Sequence, residues 1–562
     1  MMASPLEYGN MFLHPIFTLK ADCGDWKAQK VIMKKNYLLA GLLSFGMLLV
    51  GCDEQKGSDP SVEPGLKGEM EEITPSKQKA RLQDIGLEFV NTINVGTHEN
   101  LVDVMAYMEE EEFDDLDIDA AYVEKLEALY TETGGGGEYH VAARKTNPIQ
   151  AIQGLMNLSL DAAQNGAQLA TRADDIYMLT LKAGIKDLYG GFKPNMRDEV
   201  WVYDSSINDR LEVQFTDDHN QTWTATLKGS KETTRIHLTA EDIYNYKEVD
   251  YDWWYDETYE YESGYHDKYD ITIDVPKNIT LVVKCNKDKV VDLTVNSNLA
   301  FEADVYNDYS SYHNYYEDFN EYESELELTV DYTNLNLDAS LNVNGYAENL
   351  VTEVSRSGIK ASAEVKIDGK SMLKAEAALS ADMDALIKQI NEANTYTESY
   401  EDGEYVYDEE FEFDPTCLKG FSMVLDVMGK AQIYAKCDDG KKLYEAIDLT
   451  EEEFDQKYGD YKEEKAFELY VDEINDAYSI TIHYDNTSTV QANVELEACI
   501  EEYEDYYDEY TGYYIRPVLV FAVDDSRYAF EDYFTESGFS KLIDAVEKLA
   551  DDFEEMFENA YN

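Results

Sequence analysis

The chain has 562 residues, 44% of them hydrophobic, which is enough for real cores in about two to four domains. Its 117 acidic residues against 46 basic ones give a formal charge of −71 at pH 7. Such a charge repels phosphate backbones and excludes nucleic acid as a partner. It leaves divalent cations, cationic peptides and neutral polymers as attractants, beside the plain role of keeping the protein soluble.

Residues 1–32 carry Lys20, Asp22, Asp25 and Lys27, show no signal character, and read as an upstream extension of a chain starting at Met33. In residues 33–52, Lys34 and Lys35 lead into a fourteen-residue apolar run, 37–50, followed by Gly51 and Cys52. These are the parts of a secretory signal. As a helix the run covers about 21 Å, short of a roughly 30 Å hydrocarbon core, so a cleaved leader fits better than a permanent span.

Leu49-Val50-Gly51-Cys52 resembles the lipobox of bacterial lipoproteins, in which the cysteine is diacylated and becomes the first mature residue. The resemblance implies a membrane anchor at Cys52 and attachment to the bacterial envelope, with the outer membrane as the expected site. Asp53 and Glu54 resemble the surface-export signals of some Gram-negative lipoproteins and the inner-membrane retention signal of others, which leaves the leaflet open. Export permits disulfides among Cys285, Cys417, Cys437 and Cys499, but buried thiols are an equal alternative.

Residues 53–75 are polar, broken by Pro and Gly, and read as a flexible tether. A helical region over 76–172 follows, with apolar faces Leu82, Ile85, Phe89, Ile93 and then Leu101, Val104, Met105, Met108. From residue 173 the period switches to two, as in Leu211/Val213/Phe215 and Leu281/Val283, which predicts an antiparallel β region over 173–400. Asn344-Gly345, Asp368-Gly369 and Asp439-Gly440 suit tight hairpin turns. Residues 401–562 read as an α+β region with further strands, including 467–471, and a C-terminal helix. That helix is expected to turn Phe539, Leu542, Ile543, Val546, Leu549, Phe553 and Phe557 inward. The expected fold class is α+β: N-terminal helices packed on a large antiparallel β-meander, curved or partly closed, with protruding hairpins and the C-terminal helix.

Four stretches, 244–270, 306–332, 396–414 and 503–514, hold 25 of the 45 tyrosines, interleaved with acids. Three contain a turn signal, Ser263-Gly264, Asp402-Gly403 or Thr511-Gly512, and each reads as a long hairpin extending past the core. Tyrosines on alternate positions would form a cross-strand ladder on one face, with acids on the other. Candidate contact residues are Trp253, Trp254, Tyr259, Tyr261, Tyr400, Tyr405, Tyr407, Tyr506, Tyr507 and Tyr510. Such rings stack on sugars or hold a cationic peptide, and the carboxylates can hold Ca²⁺ weakly. The competing reading is that the ladders only stabilise the hairpins and protect their edges.

No zinc-hydrolase, nucleophile-elbow, Walker or dinucleotide motif is present, and no catalytic residue or other cofactor is expected. The expectation is a non-enzymatic envelope lipoprotein binding a polymer, glycan, protein, cationic peptide or divalent cation through these hairpins. One alternative is a carrier of lipid or lipoprotein acyl chains, since the repeated strand–turn–strand pattern resembles the open barrels of lipoprotein carriers. A second is a glycan hydrolase.

Overall fold

The computed structural model describes residues 61–110, 113, 116–125, 189–252, 257–314, 319–401, 404–407, 411–449, 451–504 and 509–560. The expected leader, Cys52, and the candidates Trp253, Trp254, Tyr506 and Tyr507 lie outside them.

Among the described residues, helices α1 (Pro75–Thr92) and α2 (Glu99–Glu110) come first. Strands β1 (Asp117–Ile118), β2 (Gly190–Asn195), β3 (Val200–Asp204), β4 (Leu211–Thr216) and β5 (Thr222–Gly229) follow. A long hairpin, β6 (Thr233–Asp252) and β7 (Glu257–Pro276), precedes β8 (Asn278–Cys285) and β9 (Asp288–Asn298). A second, β10 (Phe301–Asn314) and β11 (Phe319–Tyr332), precedes β12 (Leu335–Val343), β13 (Tyr346–Ser355), β14 (Gly358–Ile367) and β15 (Lys370–Ala381). Helix α3 (Met383–Asn394) and the hairpin β16 (Tyr396–Glu401), β17 (Glu404–Tyr407) lead to β18 (Leu418–Val427) and β19 (Ala431–Cys437). Helices α4 (Gly440–Ile447), α5 (Glu451–Tyr458) and α6 (Glu463–Asn475) are next. Strands β20 (Ser479–Tyr484), β21 (Ala492–Glu504), β22 (Glu509–Phe521) and β23 (Arg527–Ala529), then α7 (Phe530–Tyr533) and α8 (Glu536–Ala560), complete the chain.

The class is α+β, built on an open sheet of 17 strands. Its pairing runs β1-β3-β2-β4-β5-β8-β9-β12-β13-β14-β15-β18-β19-β20-β21-β22-β23, antiparallel except for β1–β3 and β2–β4. Strands β5 and β8, β9 and β12, and β15 and β18 are direct neighbours. The hairpins β6–β7, β10–β11 and β16–β17 are therefore insertions that leave and re-enter the sheet at one end. At the opposite end the strands join by short turns. Asn344-Gly345 and Asp368-Gly369 both carry positive φ at both positions, as a two-residue hairpin turn demands.

The largest core forms where α2 lies on one face of this sheet. Leu101, Val102, Val104 and Met108 are buried against Trp201, Leu211, Val213, Trp223, Leu281 and Val291, the alternate residues of β3, β4, β5, β8 and β9. Both indoles keep a hydrogen bond while buried, Trp201 Nε1 to the Phe113 carbonyl oxygen at 3.2 Å and Trp223 Nε1 to Asp217 at 2.8 Å.

Several expectations need correction. Residues 61–74 lie against the sheet: Val62 is buried beside Ala378 and Val424, and its N–H donates to Ser422 Oγ at 2.8 Å. Only residues 53–60 are left for a tether, and these lie outside the described residues. The boundary at 400/401 falls inside the β16–β17 hairpin, whose flanking strands β15 and β18 pair in one sheet. Residues 467–471 are helical, because Val471 and Ile474 with Ala466 make one buried face of α6. Asp439 caps α4 by accepting from the Lys442 N–H at 3.1 Å, so Asp439-Gly440 starts a helix rather than turning a hairpin. In α8, Ile543 and Val546 are exposed; the inward face runs through Leu542 and Leu549 to Met556 and Phe557. Leu542 sits where any Cβ at Gly86 would be, so Gly86 is what lets α1 and α8 approach. The four described cysteines are free and buried, and burial raises the thiol pKa of each.

Candidate functional site

The three inserted hairpins do not stand apart. They pair side by side into a second sheet of six strands, β7-β6-β10-β11-β16-β17. The joining ladder, β6 with β10, is parallel and pairs Ile236 through Val249 each with the residue 65 positions later, such as Tyr244 with Tyr309. All five ladders run without a register shift, so side chains alternate strictly between two faces.

One face collects the tyrosines. Near the main sheet it is apolar, with Ile236, Leu238, Ala303, Val305, Leu328 and Val330. Further out, one cross-strand row holds Tyr265, Tyr244, Tyr309, Ser324 and Tyr396, and the next holds Ser263, Tyr246, Ser311, Tyr322 and Glu398. Ring pairs bind the rows. Tyr244 lies 5.6 Å from Tyr265 and 5.8 Å from Tyr309, the latter nearly parallel at 3°. Tyr246 lies 6.1 Å from Tyr261 and 5.6 Å from His313, which meets Tyr322 edge-on at 5.4 Å. Tyr259, Tyr261, Tyr265, Tyr269 and Tyr396 remain between 38% and 55% exposed, all on this face.

The cations segregate as well, while acids occupy both faces. Every Lys and Arg of the six strands lies on the opposite face, where each pairs with an acid: Arg235 with Asp274, Lys247 with Glu260 and Glu262, Lys268 with Glu241. His266, in the interior of β7, also pairs with Glu241, at 2.6 Å. On the tyrosine face the carboxylates are met by hydroxyls. Tyr246 donates to Glu248 at 2.5 Å, Tyr259 to Asp250 at 2.9 Å and Tyr269 to Asp267 at 3.5 Å, while Asn307 Nδ2 donates to Asp242 at 2.7 Å. The phenol pKa of Tyr265 is raised, chiefly by desolvation and then by Asp242; that of Tyr269 is raised chiefly by the charge of Asp267.

Of the sequence candidates, Tyr259 and Tyr261 lie on this face; in the backbone register Tyr400 pairs with Tyr405, and Tyr407 with Glu398. Tyr510 is not among them; it pairs with Tyr503 in β21–β22 of the main sheet. Two turn signals mislead. Ser263-Gly264 and Thr511-Gly512 are strand residues, paired with Tyr246 and Asn245 and with Glu502 and Glu501. In the third, Glu401 pairs with Glu404, which leaves only Asp402 and Gly403 to connect them. Sequence reasoning missed Tyr244, Tyr265, Tyr309 and Tyr322 as members of one surface. Their alternation was visible, but the 65-residue offset that aligns two hairpins was not.

A second cluster lies in the turn between β4 and β5. Asp217, Asp218 and His219 could gather round a cation, and with Asn100, Asp103 and Tyr107 of α2 they line a cavity of about 80 Å³. Asp217, however, is buried and engaged: it accepts from the Gln221 N–H at 2.7 Å and from Trp223 Nε1 at 2.8 Å. Asp218 and His219 pair with each other at 2.7 Å in solvent. The arrangement is a turn that holds Trp223. No family model, curated protein or solved structure matches the chain.

Proposed function

We propose that the protein is a non-enzymatic lipoprotein of the bacterial envelope, anchored through Cys52, that presents the tyrosine face of its second sheet as a binding surface. The observation that carries the reading is the half-exposure of five tyrosines on one face of a sheet raised from a single end of the body. A ladder needed only for packing would bury its rings. The body takes hold of the chain at Val62, ten residues past Cys52, so an extended connection spans at most about 35 Å. The surface would thus be held close to the membrane that carries the anchor, with the outer membrane as the proposed site.

The carrier reading has less support. The apolar face of β3, β4, β5, β8 and β9 is filled by α2, whose Leu101 and Val102 are wholly buried there.

Two measurements test the proposal. Cys52→Ala should move the protein from the detergent phase to the aqueous phase; unaltered partitioning would remove the anchor from the argument. Replacing Tyr259, Tyr261 and Tyr269 together with Ser should leave the melting temperature nearly unchanged. A fall of many degrees would make the rings packing elements and count against a binding surface.

A further inference from the structure

We infer that the occupant of the tyrosine face is an extended cationic peptide segment, with Arg or Lys side chains laid over the rings and their charges on the intervening carboxylates. This rests on the binding-surface reading above and names its partner. The tyrosine face sets half-exposed rings beside carboxylates and carries no cation of its own. Residues 242, 244, 246 and 248 of β6 share the face with 261, 263, 265, 267 and 269 of β7, with 307, 309, 311 and 313 of β10, and with 320, 322, 324 and 326 of β11. None of these is Lys or Arg. The opposite face is the more acidic, with Glu321, Glu323, Glu325 and Glu327 on β11, but there Lys247 and Lys268 already sit paired to acids.

Each of Glu248, Asp267 and Asp242 accepts from an uncharged donor, a tyrosine hydroxyl or the Asn307 amide. A hydroxyl or an amide donates a hydrogen bond but brings no opposite charge to the carboxylates beside Tyr244, Tyr265 and Tyr309. The Asp267–Asp242 row lies one strand repeat, about 7 Å, from the Tyr265–Tyr244–Tyr309 row. A guanidinium within about 6 Å of a ring centroid can therefore reach a carboxylate of the next row with its N–H groups. An anionic glycan would meet the same carboxylates unfavourably, and a neutral one would leave their charge uncompensated.

The test uses the full chain in detergent and three probes: a dodecapeptide of alternating Arg and Ser, its Glu–Ser counterpart, and cellohexaose. The Arg–Ser peptide should bind in a salt-dependent manner and the Glu–Ser peptide should not. Asp242→Asn with Asp267→Asn should weaken the Arg–Ser peptide at least about tenfold, as should Tyr261→Ser with Tyr265→Ser. Glu325→Gln with Glu327→Gln removes the same charge from the opposite face and should leave affinity within about twofold. If that control weakens binding as much as the Asp pair does, attraction is to net charge alone and the inference is overturned. If cellohexaose binds and loses affinity in the Tyr pair while the Arg–Ser peptide is indifferent, the inference falls and the binding surface stands. If no probe binds and the Tyr pair melts many degrees lower, both fall.

Discussion

The guanidinium of Arg356 lies 4.2 Å from the centroid of the Tyr332 ring, and its Nε donates to the Tyr332 carbonyl oxygen at 3.2 Å. Arg356 belongs to the turn between β13 and β14 of the main sheet, whereas Tyr332 ends β11 of the second. The same side chain donates through Nη2 to the Val330 carbonyl oxygen at 3.0 Å and through Nη1 to Asp384 of α3 at 2.5 Å. One residue thus joins both sheets and a helix. Arg356→Ala should cost about 2 kcal/mol, because two edge carbonyls lose their donor and the ring its cation. Arg356→Lys should recover only part of this, since a single ammonium cannot serve three directions. Chemical denaturation of the three proteins checks the order.

Edge strands are closed by amides. Asn391 of α3 accepts from the Leu328 N–H at 2.9 Å and donates to the Leu328 carbonyl oxygen at 3.0 Å, as a neighbouring strand would. Asn475 of α6 does the same for Leu496 of β21, at 2.8 Å in both directions. Asn391→Asp and Asn475→Asp should each cost about 1–3 kcal/mol, because a carboxylate removes the donor and faces a carbonyl oxygen. Substitution by Ala should cost less than substitution by Asp. The reverse order would mean that the bond accepted from the strand N–H, which Asp keeps, outweighs the repulsion between carboxylate and carbonyl oxygen.

Much of this architecture could be read from the residues, and the limits are physical. The alternation Leu211/Val213/Phe215 and the turns at Asn344-Gly345 and Asp368-Gly369 announced the meander, because a half-buried strand and a two-residue hairpin leave local signatures. The tyrosine ladder was legible for the same reason, but the expected exclusion of acids from its face was wrong: Asp242, Glu248 and Asp267 stand among the rings. What escaped was non-local: the parallel join of β6 to β10, which no turn records, and the docking of Val62 under Ser422 across 360 residues. Phe467–Val471 misled because a short apolar run suits a strand or a helix until its buried spacing is known. The segregation of Lys and Arg from the tyrosine face follows from register, so it appears only once Lys247 and Lys268 are set beside Tyr246 and Tyr269.

Glu348 of β13 is buried and accepts from the Tyr346 hydroxyl at 2.5 Å, and desolvation raises its pKa above the ordinary 4.5. A carboxyl whose folded pKa exceeds the unfolded value contributes stability that is full below 4.5 and is lost as pH rises through the folded pKa. Glu348→Gln keeps the acceptor and abolishes the titration. The variant should therefore match the parent near pH 4 and become progressively more stable than it toward pH 7. Melting temperatures across that range check the sign, and a constant difference would remove the titration from the account.

Gly264 occupies the interior of β7 opposite Asn245, where a Cβ would stand 2.4 Å from the Tyr244 carbonyl oxygen. Contact with backbone cannot be relieved by a rotamer change, so Gly264→Ala must push β7 away from β6. The expected cost is about 1–3 kcal/mol, confined to the second sheet because β5 and β8 pair independently of the hairpin. Hydrogen exchange should accelerate for the amides of β6 and β7 while those of β5, β8 and β9 keep their protection. The ring pair Tyr244–Tyr265, one residue removed from the strain, should loosen with it, so the cationic peptide should bind more weakly. Uniform acceleration across both sheets would instead show that the raised hairpins and the body unfold as one unit.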